Sequence, residues 1–435
     1  MIEVAIVRPG PIQGDMVHPY LRRRRGEEPV SYPHPSLERI LKKTLGVPIF
    51  QEQVMKLAIE AAGYTPGEAD QLRRDIAAWR SRGRIDEHEE RLVGRMVARG
   101  IPREFAQRVF SQIRGFGEYG FPESHAASFA LLSYVTAWLK RHHHAAFTCA
   151  LLNAWPMGFY QPSTLVEDAK RHGVEVRPIA LGASAWDCTL EPAEEGSPSP
   201  FSIRMGVRYV KGLGERERAQ IEAAPPPYED LADFARRTRL RARALLAMAE
   251  AGAFAPLGLD RRRALWAVRG LASTDRDGLD LSPPVAPSKL PRFAALGAAG
   301  EVSWDYRSSL HSARGHPMER LRQELAARRL PEARAVNAMR SGRRVTYVGI
   351  VICRQRPRTE TGVTFMTLED ETGFVNLVVW RPVFERYETV AKTAVLLEVR
   401  GHLQNEQGVI HLIADELHDP RLPEDGGRPR SRDFH

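Results

Sequence analysis

The stretch from Gly115 to Lys140, GFGEYGFPESHAASFALLSYVTAWLK, constrains this chain more than any other, because a glycine-hinged loop runs straight into a long helix with an apolar face. Gly115, Gly117 and Gly120 permit tight backbone turns, and Ser124 stands where a helix N-cap is expected. The N–H groups of His125, Ala126 and Ala127 would then point out of the positive end of the helix, which suits a triphosphate or a backbone phosphate. Glycine-bearing loops precede many helices, so this pattern alone does not fix a ligand.

Composition bounds the partner and the compartment. The chain has 435 residues, 43% of them hydrophobic, enough to bury more than one core and to make two to four domains. A net charge of +9 favours a polyanionic partner, although acidic membranes or ribosomal RNA account for charge equally well. Cys149, Cys188 and Cys353 stand far apart with no CxxC spacing, which argues against a zinc ribbon or a disulfide framework and fits a reducing cytoplasm. No apolar run reaches the roughly 18 residues of a membrane helix, and Met1-Ile2-Glu3-Val4 lacks the regions of a signal peptide. A cytoplasmic protein with no membrane partner is expected.

Helical periodicity dominates from Ser36 to about Gly182. Leu37, Ile40 and Leu41 share one face, as do Val54, Leu57, Ala58 and Ala61, with Gly46 and Gly63 placed to end the two helices. Thr65-Pro66-Gly67-Glu68 has the form of a capping box with proline at the first helical position, so a third helix starts there. Glu191-Pro192 and Gly196-Ser197-Pro198 mark a boundary. Lys211 to Val268 is helical again, and Leu271 to Gly300, rich in Ala, Pro, Gly and Asp, reads as a linker. Val345 to Cys353, Val363 to Leu368, Phe374 to Trp380, Ala394 to His402 and Val409 to Ala414 read as five strands, with a helix-like segment before the fourth. That is the OB-fold order.

Several motifs stand in one order along the chain: Arg8-Pro9-Gly10-Pro11, Tyr32-Pro33-His34-Pro35, Phe50-Gln51-Glu52-Gln53-Val54-Met55, and Ala62-Gly63-Tyr64 through Asp70 to Leu72-Arg73-Arg74. With the Gly115 segment they resemble the fingers region of bacterial C-family DNA polymerases, and the resemblance covers nearly the whole chain. Within that family the chain looks like the error-prone branch. Ala77-Ala78-Trp79-Arg80-Ser81-Arg82-Gly83 stands where replicative enzymes usually carry a Gly-Lys-Lys run, and the tail Ser431 to His435 resembles that branch's C-terminus.

The resemblance implies a multidomain α+β fold: the end of the palm and a mainly helical fingers region over 1–183, a tandem helix-hairpin-helix domain over 184–270, a linker with short helices over 271–340, a five-stranded OB-fold β-barrel over 341–420 and a tail over 421–435. It implies a DNA-directed DNA polymerase used in damage-tolerant (translesion) synthesis. The partners it implies are a DNA primer-template, deoxynucleoside triphosphates, the sliding clamp and damage-response accessory proteins, although no clear Gln-x-x-Leu-Phe clamp peptide is present. Mg2+ is implied too, held by palm carboxylates upstream of Met1, so no catalytic residue is assigned here and the chain alone is expected to be inactive.

Candidate binding residues follow. On a helix starting after Thr65, the residues Ala69, Leu72, Ile76 and Trp79 cluster on one face and Arg74 points roughly opposite. Spacing alone favours an Asp70–Arg74 pair on a solvated face. The resemblance implies instead that Arg73 and Arg74 face the incoming nucleotide, with Tyr119, Ser124, His125 and Ser128 beside it, while Asp75, where the family usually has Ala, sets a carboxylate next to the pair. Lys211, Gly212, Gly214 and Arg218 of a hairpin turn, and Arg354, Arg356 and Arg358 of the barrel, are expected to meet DNA phosphates, and Leu245 to Phe254 resembles a second hairpin. At least half of Tyr347, Phe365, Phe374 and Trp380 must fill the barrel, and strand alternation does not say which half.

Consecutive residues on a helix point about 100° apart, so His142, His143 and His144 cannot all hold one ion and no metal site is expected. Asp275 and Asp277, and the run Glu369-Asp370-Glu371, read as solvated loop rather than as metal ligands. Two function classes stay open: the fingers, duplex-binding and OB portion of a polymerase, and a non-catalytic single-strand or primer-template DNA-binding protein.

Overall fold

The computed structural model describes residues 1–6, 17–32, 35–77, 85–116, 121–158, 160–274, 291, 293–356, 362–406, 408–420 and 432–434. Tyr119, Arg358, Trp79, Asp275 and Asp277 lie outside them. The chain divides into two compact units, Met1–Trp138 and Leu139–His435.

In the first unit, short helices α1 (Ile2–Ile6) and α2 (Val17–Arg24) precede α3 (Pro35–Leu41), α4 (Gln51–Ala62), α5 (Pro66–Ala77), α6 (Ile85–Ala98), α7 (Arg103–Phe116) and α8 (Glu123–His142), which runs past the unit's end. The periodic apolar positions are its core: Leu37, Ile40, Leu41, Val54, Leu57, Ala58 and Ala61 are buried with Leu72, Leu92, Met96 and Phe110. Gly63 ends α4 at φ +64°, a left-handed conformation that favours glycine. The capping box forms as its sequence expects: Glu68 N–H donates to Thr65 Oγ1 at 3.2 Å and Thr65 N–H to Glu68 Oε2 at 2.9 Å.

The entry to α4 rests on one buried amide. Gln53 Oε1 accepts from the N–H groups of Ile49 (2.8 Å) and Phe50 (3.0 Å), and its Nε2 donates to Ile40 O (3.1 Å) and Thr44 Oγ1 (2.9 Å). Buried polar groups are tolerated when paired in this way, and removing the amide would orphan several partners at once.

The second unit opens with α9 (His144–Asn153) and α10 (Pro162–Arg171), continues through strands β1 (Val176–Arg177), β2 (Thr189–Pro192) and β3 (Phe201–Arg204), and then α11 (Glu215–Glu222), α12 (Leu231–Thr238), α13 (Ala242–Glu250) and α14 (Arg261–Thr274). Ala145, Cys149, Leu152, Leu165 and Val166, which the sequence groups with the preceding helices, are buried here with Phe234, Met248, Phe254 and Val268. Full burial of each large side chain stabilises by about 1.5–3 kcal/mol. The division therefore falls well before residue 183, because the apolar faces of α9 and α10 find their partners in the hairpin helices.

Among the described residues, the segment expected to be a linker with short helices does carry helices. Helices α15 (Ala298–Ser309), α16 (Arg322–Ala327) and α17 (Ala333–Val336) lie within it. Asp305 accepts from Ser312 Oγ (2.7 Å) and Arg314 Nη1 (2.8 Å) and pairs with the buried Arg261. Met318, Leu321 and Leu325 pack on Val348, Ile350 and Leu396. Buried polar pairing, rather than an apolar stripe, holds 305–316 in place.

The final module is the OB barrel. Strands β4 (Arg344–Gln355), β5 (Thr364–Asp370), β6 (Gly373–Val379), β7 (Leu396–Glu406) and β8 (Val409–His418) run in the order β5-β6-β8-β7-β4, and β4 pairs with β5 to close the ring. Helices α18 (Arg381–Arg386) and α19 (Glu388–Thr393) lie between β6 and β7, and β9 (Arg432–Phe434) adds to β4 in parallel. Bulges at Val351/Cys353 and Arg400/Gly401 bend the long strands enough to close. At the second bulge a Cβ on Gly401 would sit 2.0 Å from Ile413 O, so only glycine fits. Among the described residues no helix is long and apolar enough to cross a membrane.

Candidate nucleic-acid interface

In the first unit, α5 presents Arg73 and Arg74 as its sequence periodicity expects, but neither guanidinium points alone into solvent. Asp70 takes both: Arg73 donates to Oδ1 at 2.9 and 3.0 Å, and Arg74 Nε to Oδ2 at 2.9 Å. Hydrogen bonds from Arg73 and then Arg74 hold the Asp70 carboxyl below its ordinary range. Asp75 does not stand beside this pair. It is buried, with Gln71 Nε2 on Oδ1 (3.0 Å) and His88 Nε2 at Oδ2 (3.0 Å), so it ties α5 to α6 rather than repelling a ligand.

The start of α8 also departs from expectation. Pro122 O accepts the first helical bond, from Ala126 N–H at 3.0 Å, so Pro122 rather than Ser124 occupies the cap. The Glu123 N–H is met by Glu52 Oε2 at 2.8 Å. Ser124 O accepts from Ser128 Oγ at 3.1 Å, and the His125 ring packs between Phe121 (5.2 Å) and Phe129 (4.5 Å). Ser124, His125 and Ser128 are exposed together on the first turns. An anion arriving there meets one carboxylate already in place.

In the second unit, the first hairpin turn is exposed, with Gly212 at φ +90° and open space around its Cα. Its basic residues are engaged locally. Lys211 Nζ caps α15 by donating to Tyr306 O (3.1 Å) and to Arg307 O. Gly214 N–H donates to Glu217 Oε2 at 3.0 Å, and Arg218 pairs with Glu222 at 2.9 Å. In the second hairpin Ala251, Gly252, Ala253 and Phe254 are buried, and the Gly252 Cα faces Arg261, so this turn packs inside the unit.

The barrel resolves which aromatics face outward. Tyr347 is fully buried and Arg171 covers the Phe374 ring at 4.4 Å, whereas Phe365 and Trp380 are 39% and 47% exposed. Phe365 on β5 pairs across with Val378 on β6, and Trp380 follows two residues later, so both rings lie on one outer face. Gln355 of β4 pairs with Phe365 and extends that face. Arg356, exposed, lies with its guanidinium 4.6 Å from the Phe384 ring centre. Arg354 does not belong to the face: it is buried and its Nε donates to Ala391 O at 2.7 Å, closing the end of α19.

The acidic run is not a solvated loop. Glu369 and Asp370 are buried. Arg171 Nη1 meets Glu369 Oε1 at 3.0 Å, and Arg322 meets Asp370 at 3.2 Å and Glu371 at 2.5 Å. These pairs join α10 and α16 to the β5–β6 hairpin. Burial pushes the Glu369 carboxyl up to about 8, against the pull of Arg171. Nothing in local sequence marks the run as buried, since its partners lie far along the chain.

Comparison with known proteins agrees with this anatomy. Residues 1–100 match the bacterial DNA polymerase III alpha subunit finger domain, residues 173–264 a helix-hairpin-helix motif, and residues 345–420 an OB-fold nucleic acid binding domain. Over 100% of its length the chain is 52% identical to an error-prone DNA polymerase of Pseudomonas fluorescens, covering 43% of that protein. It is 49% identical to the error-prone DNA polymerases of Methylococcus capsulatus and Pseudomonas aeruginosa, covering 43% and 42% of them, again with 100% of the chain aligned. The chain thus spans less than half the length of these curated relatives. It belongs to the C-family error-prone DNA polymerases, matching a C-terminal portion.

Proposed function

We propose that this member of the C-family error-prone polymerases is the part that handles nucleotide and template strand in damage-tolerant DNA synthesis. The observation that carries the reading is the pair Phe365 and Trp380, two large aromatic rings exposed on one face of a nucleic-acid-binding barrel. Each base stacked on such a ring contributes about 1–3 kcal/mol without regard to sequence. A template strand held by stacking tolerates a damaged base, because a lesion that alters the pairing edge leaves a π-face. The exposed hairpin turn at Gly212 and Gly214 would meet duplex phosphates, and Arg73 and Arg74 would turn to the triphosphate, for which the guanidinium fork is suited.

Magnesium is the metal expected of DNA polymerases, and two-metal transfer needs carboxylates converging on both ions. Glu369, Asp370 and Glu371 do not fit that task, since Arg171 and Arg322 already pair with them. No step of nucleotidyl transfer is therefore assigned to these residues. The same observation favours the second reading for the chain by itself, a binder of primer-template without catalysis.

The test is binding of the purified chain to a fluorescent primer-template with a long single-stranded overhang, against blunt duplex, over a range of salt. Tighter binding to the overhang, falling steeply with salt and indifferent to sequence, is expected. Equal affinity for blunt duplex would contradict the stacking role. Magnesium-dependent extension by the chain alone, abolished by Asp275→Ala with Asp277→Ala, would overturn the assignment of catalysis elsewhere.

A further inference from the structure

The three consecutive histidines do not form a site together, but the fold carries one of them to a different pair. His144, at the start of α9, meets Asp168 and His172 from α10, and one potential ligand atom of each lies within 4.8 Å of the others. Asp168 and His172 are four residues apart on one helix, so they project from the same face. His144 Nε2 stands 3.4 Å from Asp168 Oδ2, and the two imidazole rings lie 4.3 Å apart.

The hydrogen bonds fix which nitrogen of each ring is available. His144 Nδ1 lies 3.1 Å from Lys140 O, and His172 Nδ1 lies 2.7 Å from Asp168 O. A carbonyl oxygen can only accept, so each Nδ1 is the donor, and in the neutral imidazole Nε2 is then the nitrogen with the lone pair. Metal-binding histidines are oriented in this way, with the far nitrogen donating to a carbonyl. His144 Nε2 is moreover buried and has no hydrogen-bond partner, an arrangement that costs free energy unless something accepts the lone pair.

We propose that His144, Asp168 and His172 form a binding site for a divalent transition-metal ion of the zinc class, held by His144 Nε2, one ring nitrogen of His172 and one carboxylate oxygen. Two imidazoles favour zinc, nickel or copper over magnesium or calcium, which take oxygen ligands. Three protein ligands leave room for water to complete a tetrahedral shell. Lys140 Nζ, 2.9 Å from Asp168 Oδ2, is the group that the ion would displace or share the carboxylate with. An ion there would tie the first turn of α9 to the C-terminal end of α10, independently of any nucleotide chemistry.

The experiment uses the full chain, stripped with chelator and titrated with zinc while binding is followed by calorimetry, with cobalt as a spectroscopic probe. One zinc per chain, a rise in melting temperature, and a cobalt d–d band of tetrahedral type are expected. His172→Ala, at a half-exposed position whose loss leaves the core intact, should weaken zinc binding about tenfold or more and remove the band. His144→Ala should act likewise, while His142→Ala, two residues earlier and outside the cluster, should leave affinity unchanged. Absence of stoichiometric binding, or binding that persists unchanged in His172→Ala, would overturn the site.

Discussion

Glu52 Oε2 receives the backbone N–H of Glu123 at 2.8 Å, closing the N-terminus of the helix whose sequence most strongly advertises an anion site. A carboxylate from the Phe50-Gln51-Glu52-Gln53 motif thus stands where a phosphate would be drawn by the helix dipole. The contact links two motifs that are far apart in sequence and gives the helix end its charge complement in the absence of ligand.

Glu52→Gln keeps an acceptor for the Glu123 N–H and removes the charge. In a full-length polymerase carrying this sequence it should lower the apparent KM for nucleotide by a few-fold, the equivalent of about 0.3–1 kcal/mol at a helix terminus. Steady-state incorporation on an undamaged template measures it. An unchanged KM would separate Glu52 from the nucleotide path.

Asp70 holds Arg73 and Arg74 through bonds that a triphosphate would have to replace. In the same polymerase Arg74→Ala should raise KM or lower incorporation, and Asp70→Asn should do the reverse by releasing both forks. Should both variants raise KM alike, the three residues act as a structural unit instead.

Asp75→Ala, which would relieve repulsion of nucleotide if this carboxylate stood beside the arginines, should act on folding. It orphans Gln71 and His88, a loss of about 1–3 kcal/mol. Urea denaturation of the chain should show a lower midpoint, with any change in nucleotide handling following from that.

Burial raises Glu369 from an ordinary 4.5 to about 8. The fold therefore favours the protonated carboxyl, and the associated stability is fully present below about 4.5, falls as pH rises, and stops falling above about 8. The slope is at most about 1.4 kcal/mol per pH unit for one group. Glu369→Gln, which mimics the neutral acid, should flatten that decline between pH 5 and pH 8 in chemical denaturation. A variant that loses stability mainly at pH 8 would show instead that the ionised pair with Arg171 is what holds the hairpin.

Much of this molecule is legible from residue order alone. The faces of α3 and α4, the capping box at Thr65 and the five strands of the barrel follow from periodicity and turn chemistry, which are local properties. What escapes is set by distant partners. Arg354 looks like a surface cation until α19 folds over it, and Glu369 looks like a loop acid until Arg171 arrives from α10. The way 305–316 is anchored is equally invisible, because Asp305 gathers Ser312 and Arg314 by polar contacts rather than through an apolar stripe. The His144, Asp168 and His172 cluster is half legible: the i,i+4 spacing of Asp168 and His172 is in the sequence, but the approach of His144 is not.

The central claim is that Phe365 and Trp380 form the stacking face for single-stranded template. Fluorescence anisotropy with a labelled single-stranded oligonucleotide, comparing the chain with a Phe365→Ala, Trp380→Ala double variant, tests it most directly. A loss of about 2–6 kcal/mol in binding free energy is expected for two stacked bases, with the barrel still folded and only a modest fall in melting temperature, because each side chain is partly exposed. Affinity equal to that of the unaltered chain, with the barrel still folded, would contradict it.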